Sequence, residues 1–223
     1  MTERHFISLD ETAAALEVST RHVRRLVNSG SLTQVTRGVL ERDSVDRYLM
    51  SQRQGRTRSW AEHTAWGAIA ILSDGEADWL GPTQTSRVRR TLRDLVDPSE
   101  LISRVRDRAH VRTFAAHRAA IPRLRAIVLH PNMNALGIVD SGEGRIDGYI
   151  AAQELDGVIR TLGLRAESSG DITLRVTEFD FDQVGKLVST SAVVAALDAA
   201  TALDPRIRGV GQRALAETLE AYR

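Results

Sequence analysis

Apolar residues recur at helical spacing through the first fifty positions. Leu9, Ala13 and Leu16 form one such set, and Val23, Leu26 and Val27 form another at i, i+3, i+4. Each set draws a single apolar stripe along a short helix. Ser8 with Glu11 three residues on makes a capping box, and Asp10 suits the positive end of the helix dipole. The spacing predicts a helix over roughly 9–16, a turn at Glu17-Val18, and a second helix capped by Ser19 or Thr20. That second helix runs to about Asn28 and stops at Ser29-Gly30. Alternation over 32–40, turning near Arg37-Gly38, predicts a small hairpin, and Asp43 or Ser44 opens a closing helix through Val45, Tyr48 and Leu49.

The stretch from Gln52 to Arg58 is polar, basic and glycine-containing, as a linker is. Trp60, Ala61, Thr64, Ala65, Ala68, Ile69 and Leu72 then follow a helical period that ends at Ser73-Asp74-Gly75. Gly81-Pro82-Thr83 opens a helix over about 83–95, and Pro98 opens another to about Arg108. Trp60, Trp66 and Trp79 sit in apolar patterns and are assigned to the core rather than to base stacking. Arg87, Arg89, Arg90 and Arg93 crowd the first of these helices, and Arg104, Arg106 and Arg108 the second. Two readings are open: a second helix-turn-helix unit, or a connector whose arginines pair with Asp94, Asp97, Glu100 and Asp107.

From residue 109 the pattern changes. "HVRTFAAH" alternates as a strand does, "PRLRAIVLHP" supplies a second apolar run, and residues 144–150 supply a third after a glycine-rich turn. Residues 151–162 are helical with Leu155, Val158, Ile159 and Leu162 on one face, "GDITLRVTEF" alternates again, and helices over 191–203 and 205–222 close the chain. The expected architecture is an α+β multidomain protein. It has a winged helix-turn-helix DNA-binding domain over 1–52, a helical connector or second helical domain over 59–108, and a C-terminal α+β domain over 109–223.

Composition narrows the class. Hydrophobic residues are 42% and charged residues 26%, which fits a packed globular chain. With no cysteine there is no disulfide and no thiolate metal site, as suits the cytosol. No signal peptide is read at the start and no apolar run is long enough for a bilayer, so a soluble, cytoplasmic protein is expected. The net charge of +1 hides an asymmetry. Residues 1–58 carry ten arginines against seven acids, a balance of +3, and residues 123–223 carry eleven basic residues against fourteen acids, a balance of −3. A basic front and an acidic rear suggest a polyanion-binding end with a different task behind it. Only Lys186 among the thirty basic residues is lysine. A GC-rich coding bias accounts for that, so the position of the arginines, not their number, carries the argument.

Two short helices about three residues apart are the helix-turn-helix signature. The segment "ISLDETAAALEVSTRHVRRLVNSGSLTQVTRGVLERDSVDRYL" resembles the excisionase-type, MerR-related winged helix-turn-helix family. Glu17 stands where that family usually has a small residue, and Thr33 where it usually has proline. The resemblance implies that the second helix enters the major groove and the wing lies on flanking backbone. Ser19, Thr20, Arg21, His22, Arg24 and Arg25 would then face DNA, with Arg37 on the wing. Arginine near the start of such a helix pairs bidentately with guanine or clamps phosphate. The competing reading is a small helical domain for protein contacts with solvated arginines. The stretches "SRVRRTLRDLVDPSELISRVRDRA", "GRIDGYIAAQELDGVIRTLGL", "GDITLRV" and "VVAALDAATALDPRIRGVGQRALAETL" resemble AbiE-type antitoxins, regulators encoded beside nucleotidyltransferase-like toxins.

Catalytic and metal chemistry has little footing, and no catalytic, metal or cofactor-binding residue is assigned. The six histidines include no HExxH pair. Ser141–Gly148 reads as a hairpin turn rather than a calcium or phosphate loop. Gly209-Val-Gly211 lacks the strand and third glycine of a dinucleotide site. Glu178, Asp180 and Asp182 alternate as a two-metal nucleotidyltransferase would require, without the glycine-serine helix start ahead of them, so they read as a solvated acidic edge. The expected function is that of a sequence-specific DNA-binding transcriptional regulator, an autoregulatory antitoxin with double-stranded DNA and a nucleotidyltransferase-like toxin as partners. The alternatives are a ligand-sensing regulator and an excisionase-like architectural factor, the latter disfavoured because such factors are little more than the first fifty residues. An enzyme comes last.

Overall fold

The computed structural model describes residues 6–28, 31–52, 58–139, 144–167, 170–202 and 204–223. The helix stop at Ser29-Gly30, the linker residues 53–57, the Asp43 side chain and residues 140–143 of the glycine-rich turn lie outside them. The fold is α+β, with two sheets among many helices.

The N-terminal unit runs β1 (Phe6–Ser8), α1 (Leu9–Ala15), α2 (Thr20–Asn28), β2 (Gln34–Thr36), β3 (Val39–Glu41) and α3 (Arg42–Gln52). The capping box forms in both directions: Glu11 N donates to Ser8 Oγ at 3.1 Å, and Ser8 N donates to Glu11 Oε2 at 2.9 Å. Glu17 turns the chain between α1 and α2 with φ of 54°, a left-handed conformation that glycine adopts at less cost. β1 has no counterpart in the sequence pattern. Its three residues are too few to alternate visibly, and it becomes a strand by pairing antiparallel with β3, giving the order β1-β3-β2. The closing helix starts at Arg42, ahead of its expected caps. Ser44 ties the hairpin instead: its Oγ donates to the Glu41 carbonyl at 2.9 Å and accepts from Thr33 N at 3.1 Å. Ile7, Ala13, Val23, Leu26, Leu32, Leu40 and Val45 form the buried core of this unit.

The rest of the chain follows as α4 (Glu62–Leu72), α5 (Pro82–Asp94), α6 (Pro98–Val105), a 3₁₀ turn at Arg106–Arg108, β4 (His110–Ala115) and α7 (Ile121–Ile127). Then come β5 (Ile146–Ala151), α8 (Ala152–Leu162), β6 (Arg165–Ala166), β7 (Ile172–Thr177), α9 (Phe181–Thr190), α10 (Ala192–Ala200) and α11 (Pro205–Tyr222). The sheet order is β5-β7-β4-β6. β5 and β7 pair in parallel, with α8 in the crossover between them, and β4 is antiparallel to both its neighbours. Alternation along the strands separates two faces. Ile146, Ile150, Ile172, Leu174 and Phe114 share a core with Leu124 of α7 and with Leu155 and Val158 of α8. Tyr149, on the other face, belongs to the core of the helical layer.

That layer is built around α4 and α10. Every residue over 64–72 and over 193–200 is buried, so both helices are enclosed by their neighbours on all sides, and but for Thr64 and Asp198 these residues are apolar. Gly211 permits the close approach of α11 to α10: a Cβ there would lie 2.3 Å from Ala200 N and 2.6 Å from the Ala196 carbonyl. A single core joins Ala65 through Val105 to Tyr149 and to Val184 through Leu219. It therefore runs across position 108/109, where the sequence pattern changes. The second apolar run folds as α7 and then meets β5 through a Leu129–Tyr149 bridge. Glu178, Asp180 and Asp182 do not alternate along one strand. β7 ends at Thr177, and Asp180 caps α9, accepting from the backbone N–H groups of Asp182 and Gln183.

Candidate nucleic-acid interface

Helix α2 places the basic residues by the same periodicity that makes it a helix. Val23 and Leu26 are buried, and that inward stripe turns Arg21, Arg24 and Arg25 outward, where all three are exposed. Ser19 precedes the helix, and its Oγ accepts from His22 N at 3.3 Å, satisfying one of the free N–H groups of the first turn. Thr20 and His22 are half-buried at the flanks. Arg25 Nη2 donates to His22 Nδ1 at 3.0 Å, which holds the guanidinium alongside the helix. No acid forms a salt bridge with Arg21, Arg24 or Arg25 among the described residues. Arg37 is exposed at the tip of the β2–β3 hairpin, beside Gly38, whose φ of 83° closes the turn.

His22 and Arg25 also stand at the edge of a cleft of about 1280 Å³. Thr33, Gln34 and Tyr48 line the same wall, and the opposite wall is the polar sheet face carrying Thr113, Asp147, Thr173 and Arg175. Register places Asp147, Thr173 and Thr113 in one cross-strand row, and Tyr149, Arg175 and Val111 in the next.

At and behind this face lies a charge cluster, buried at Arg108, Tyr149, Arg175 and Asp198 and open to solvent at Asp147. Arg108 and Tyr149 Oη both donate to Asp198 Oδ1, the tyrosine at 3.0 Å, and Arg175 Nη1 lies 3.1 Å from the same oxygen. Arg175 is also bidentate to Asp147, at 2.8 and 2.9 Å. Two arginines therefore meet two aspartates, and the cluster carries no net charge. Burial works against charge on Arg108 and Arg175, but Tyr149 and Asp198 beside Arg108, and Asp147 and Asp198 beside Arg175, outweigh it and hold both guanidiniums charged. Burial pushes the Tyr149 hydroxyl well above the ordinary tyrosine range, Arg108 opposing it. Asp198 Oδ2 is buried with no hydrogen-bond partner.

No family model, curated protein or solved structure matches the chain. The arrangement of its own side chains is what bears on function. The seven residues expected at DNA lie on α2, its cap and the hairpin, and the structure brings His22 and Arg25 into direct contact. The buried cluster was not anticipated, although one signal was present. Asp198 is the only acid within the otherwise apolar run "VVAALDAA", and a lone charge on such a helix requires a partner. Its partners Arg108, Tyr149 and Arg175 lie on other elements, the first two 90 and 49 residues away in sequence, beyond the reach of any local pattern. Among the described residues no three His, Asp or Glu side chains converge on a possible metal position, and no helix is long and apolar enough to cross a membrane.

Proposed function

We propose that this protein is a sequence-specific transcriptional regulator that binds double-stranded DNA, with residues 6–52 acting as a winged helix-turn-helix. The observation that carries the reading is α2: three exposed arginines, without a salt bridge to any acid among the described residues, on the solvent side of a helix whose other side is core. The α1–α2 pair and the hairpin bearing Arg37 supply a crossing helix and a wing. Arg21 and Arg25 read base edges and Arg37 holds backbone phosphate.

The test uses the full chain and DNA selected from a random pool, with affinity measured by fluorescence anisotropy. Arg21→Ala or Arg25→Ala weakens selected DNA by about 1–3 kcal/mol and relaxes preference at one base pair. Arg37→Ala weakens selected and random DNA equally. Equal losses on both DNAs for all three variants would remove the base-reading role, and no binding at low salt would remove the function.

Within this reading the rear of the chain acts as an antitoxin toward a nucleotidyltransferase-like toxin. Its exposed acids, among them Glu154, Asp156, Glu167, Glu178 and Asp182, offer complementary charge to a basic, nucleotide-handling partner. Co-expression with a neighbouring nucleotidyltransferase-like gene product tests this, and undiminished toxicity refutes it. The cleft favours one second reading, a ligand-sensing regulator: a small molecule held between α2 and the polar sheet face would change operator affinity.

A further inference from the structure

Helix α5 carries Arg87, Arg89, Arg90 and Arg93, all exposed, while Val88 and Leu92 fix its opposite side in the core. The four span about 9 Å along the axis at the rise of an α-helix. The acids near them in sequence are committed elsewhere. Asp97 caps α6 through Ser99 N at 2.8 Å, Glu100 holds Arg104 at 2.7 Å, and Asp107 lies 3.8 Å from Arg106 and hydrogen-bonds Ser59. Asp94, the one acid on the helix itself, is exposed and makes no salt bridge with any of the four. The pairs expected of a connector form on α6 and the 3₁₀ turn after it, where Glu100 meets Arg104 and Asp107 meets Arg106, whereas the four arginines of α5 make no salt bridge with these acids. Four like charges within two turns repel one another, and Asp94, four residues from Arg90, is the one acid of the helix set against them.

We infer that α5 is a second DNA-contacting surface, one that tracks backbone phosphates without reading sequence. The inference rests on the DNA-binding function proposed above. Its chemistry points to phosphate rather than to a protein partner. The outward side of the helix presents Thr83, Ser86, Asp94 and the arginines, with Pro82 and Val96 exposed only at its two ends, whereas the centre of a protein interface is depleted in charge. Residues 6–52 read the operator, and α5 lengthens the contact along the duplex.

The test compares the full wild-type chain with the fourfold variant Arg87→Gln, Arg89→Gln, Arg90→Gln and Arg93→Gln, and with the fourfold lysine variant. Affinity for the selected duplex and for a random one is titrated against salt concentration. Loss of two to four phosphate contacts reduces the log–log salt slope by about 1.8 to 3.6 in the glutamine variant, equally on both duplexes. The lysine variant keeps the wild-type slope, because it keeps the charge. Circular dichroism and thermal unfolding establish that both variants are folded, as exposed substitutions on one helix face should leave them. If the glutamine variant keeps the full slope while Arg25→Ala still weakens binding, α5 does not touch DNA and the proposed function stands. If the wild-type chain binds no DNA, both fall together.

Discussion

Asp198→Ala is the sharpest perturbation of this fold. Asp198 Oδ1 takes Arg108, Tyr149 Oη and Arg175 Nη1 at once, and the carboxylate is fully buried, with Arg108 5% exposed. The two arginines depend on it unequally. Arg175 keeps its bidentate contact to Asp147, whereas Arg108 is left with the Tyr149 hydroxyl and the Val105 carbonyl, both neutral. The cost of the substitution is thus the cost of one buried, uncompensated guanidinium, about 3–5 kcal/mol. That is a large part of the roughly 5–15 kcal/mol that holds a domain together. Arg108→Met costs less, because Asp198 retains Arg175. Asp198→Leu combined with Arg108→Met recovers most of the loss, since the double change also removes the desolvation of both charges. Urea unfolding followed by tryptophan fluorescence reads this region directly, because Trp66 packs edge-on to Tyr149 at 5.4 Å. A loss below about 1 kcal/mol for Asp198→Ala, with an unchanged m-value, would place Arg108 in water and refute the buried cluster.

Three further outcomes follow from the same structure. The raised Tyr149 pKa means that the unfolded chain releases this proton first. Its stabilising effect is complete below about pH 10 and declines above that by up to about 1.4 kcal/mol per pH unit; Tyr149→Phe should abolish this part of the alkaline slope in urea midpoints. Glu17→Gly relieves the left-handed turn and stabilises the N-terminal unit by about 0.5 kcal/mol after glycine's greater unfolded-state entropy is subtracted. Glu17→Val destabilises it, and calorimetry that ranks valine above glycine would contradict the strained turn. Gly211→Ala forces α11 off α10 at a cost of about 1–3 kcal/mol. Gly209→Ala, which meets nothing within 4 Å, is neutral or stabilising, and equal melting temperatures for the two variants would refute the close crossing.

The sequence by itself determined whatever is settled within a few residues. Ser8 and Glu11 cap α1 because the bonds they make reach three residues. Val23 and Leu26 turn Arg21, Arg24 and Arg25 outward because a helix repeats every 3.6 residues. Arg37-Gly38 closes a hairpin because glycine admits positive φ. The strands at 110–115, 146–151 and 172–177 were visible as alternation or as apolar runs. Tertiary structure decided what depends on distant partners. β1 exists only through β3, and α4 is buried on every side only because other helices surround it. The charge cluster unites positions 108, 147, 149, 175 and 198, which no spacing connects. The same holds for α5. The local sequence offered acids to its arginines, and packing assigned three of them to a cap, to Arg104 and to Arg106, leaving the α5 charges facing solvent. Local geometry follows from chain connectivity, whereas the partner of a charge is settled by which surfaces the whole core brings together.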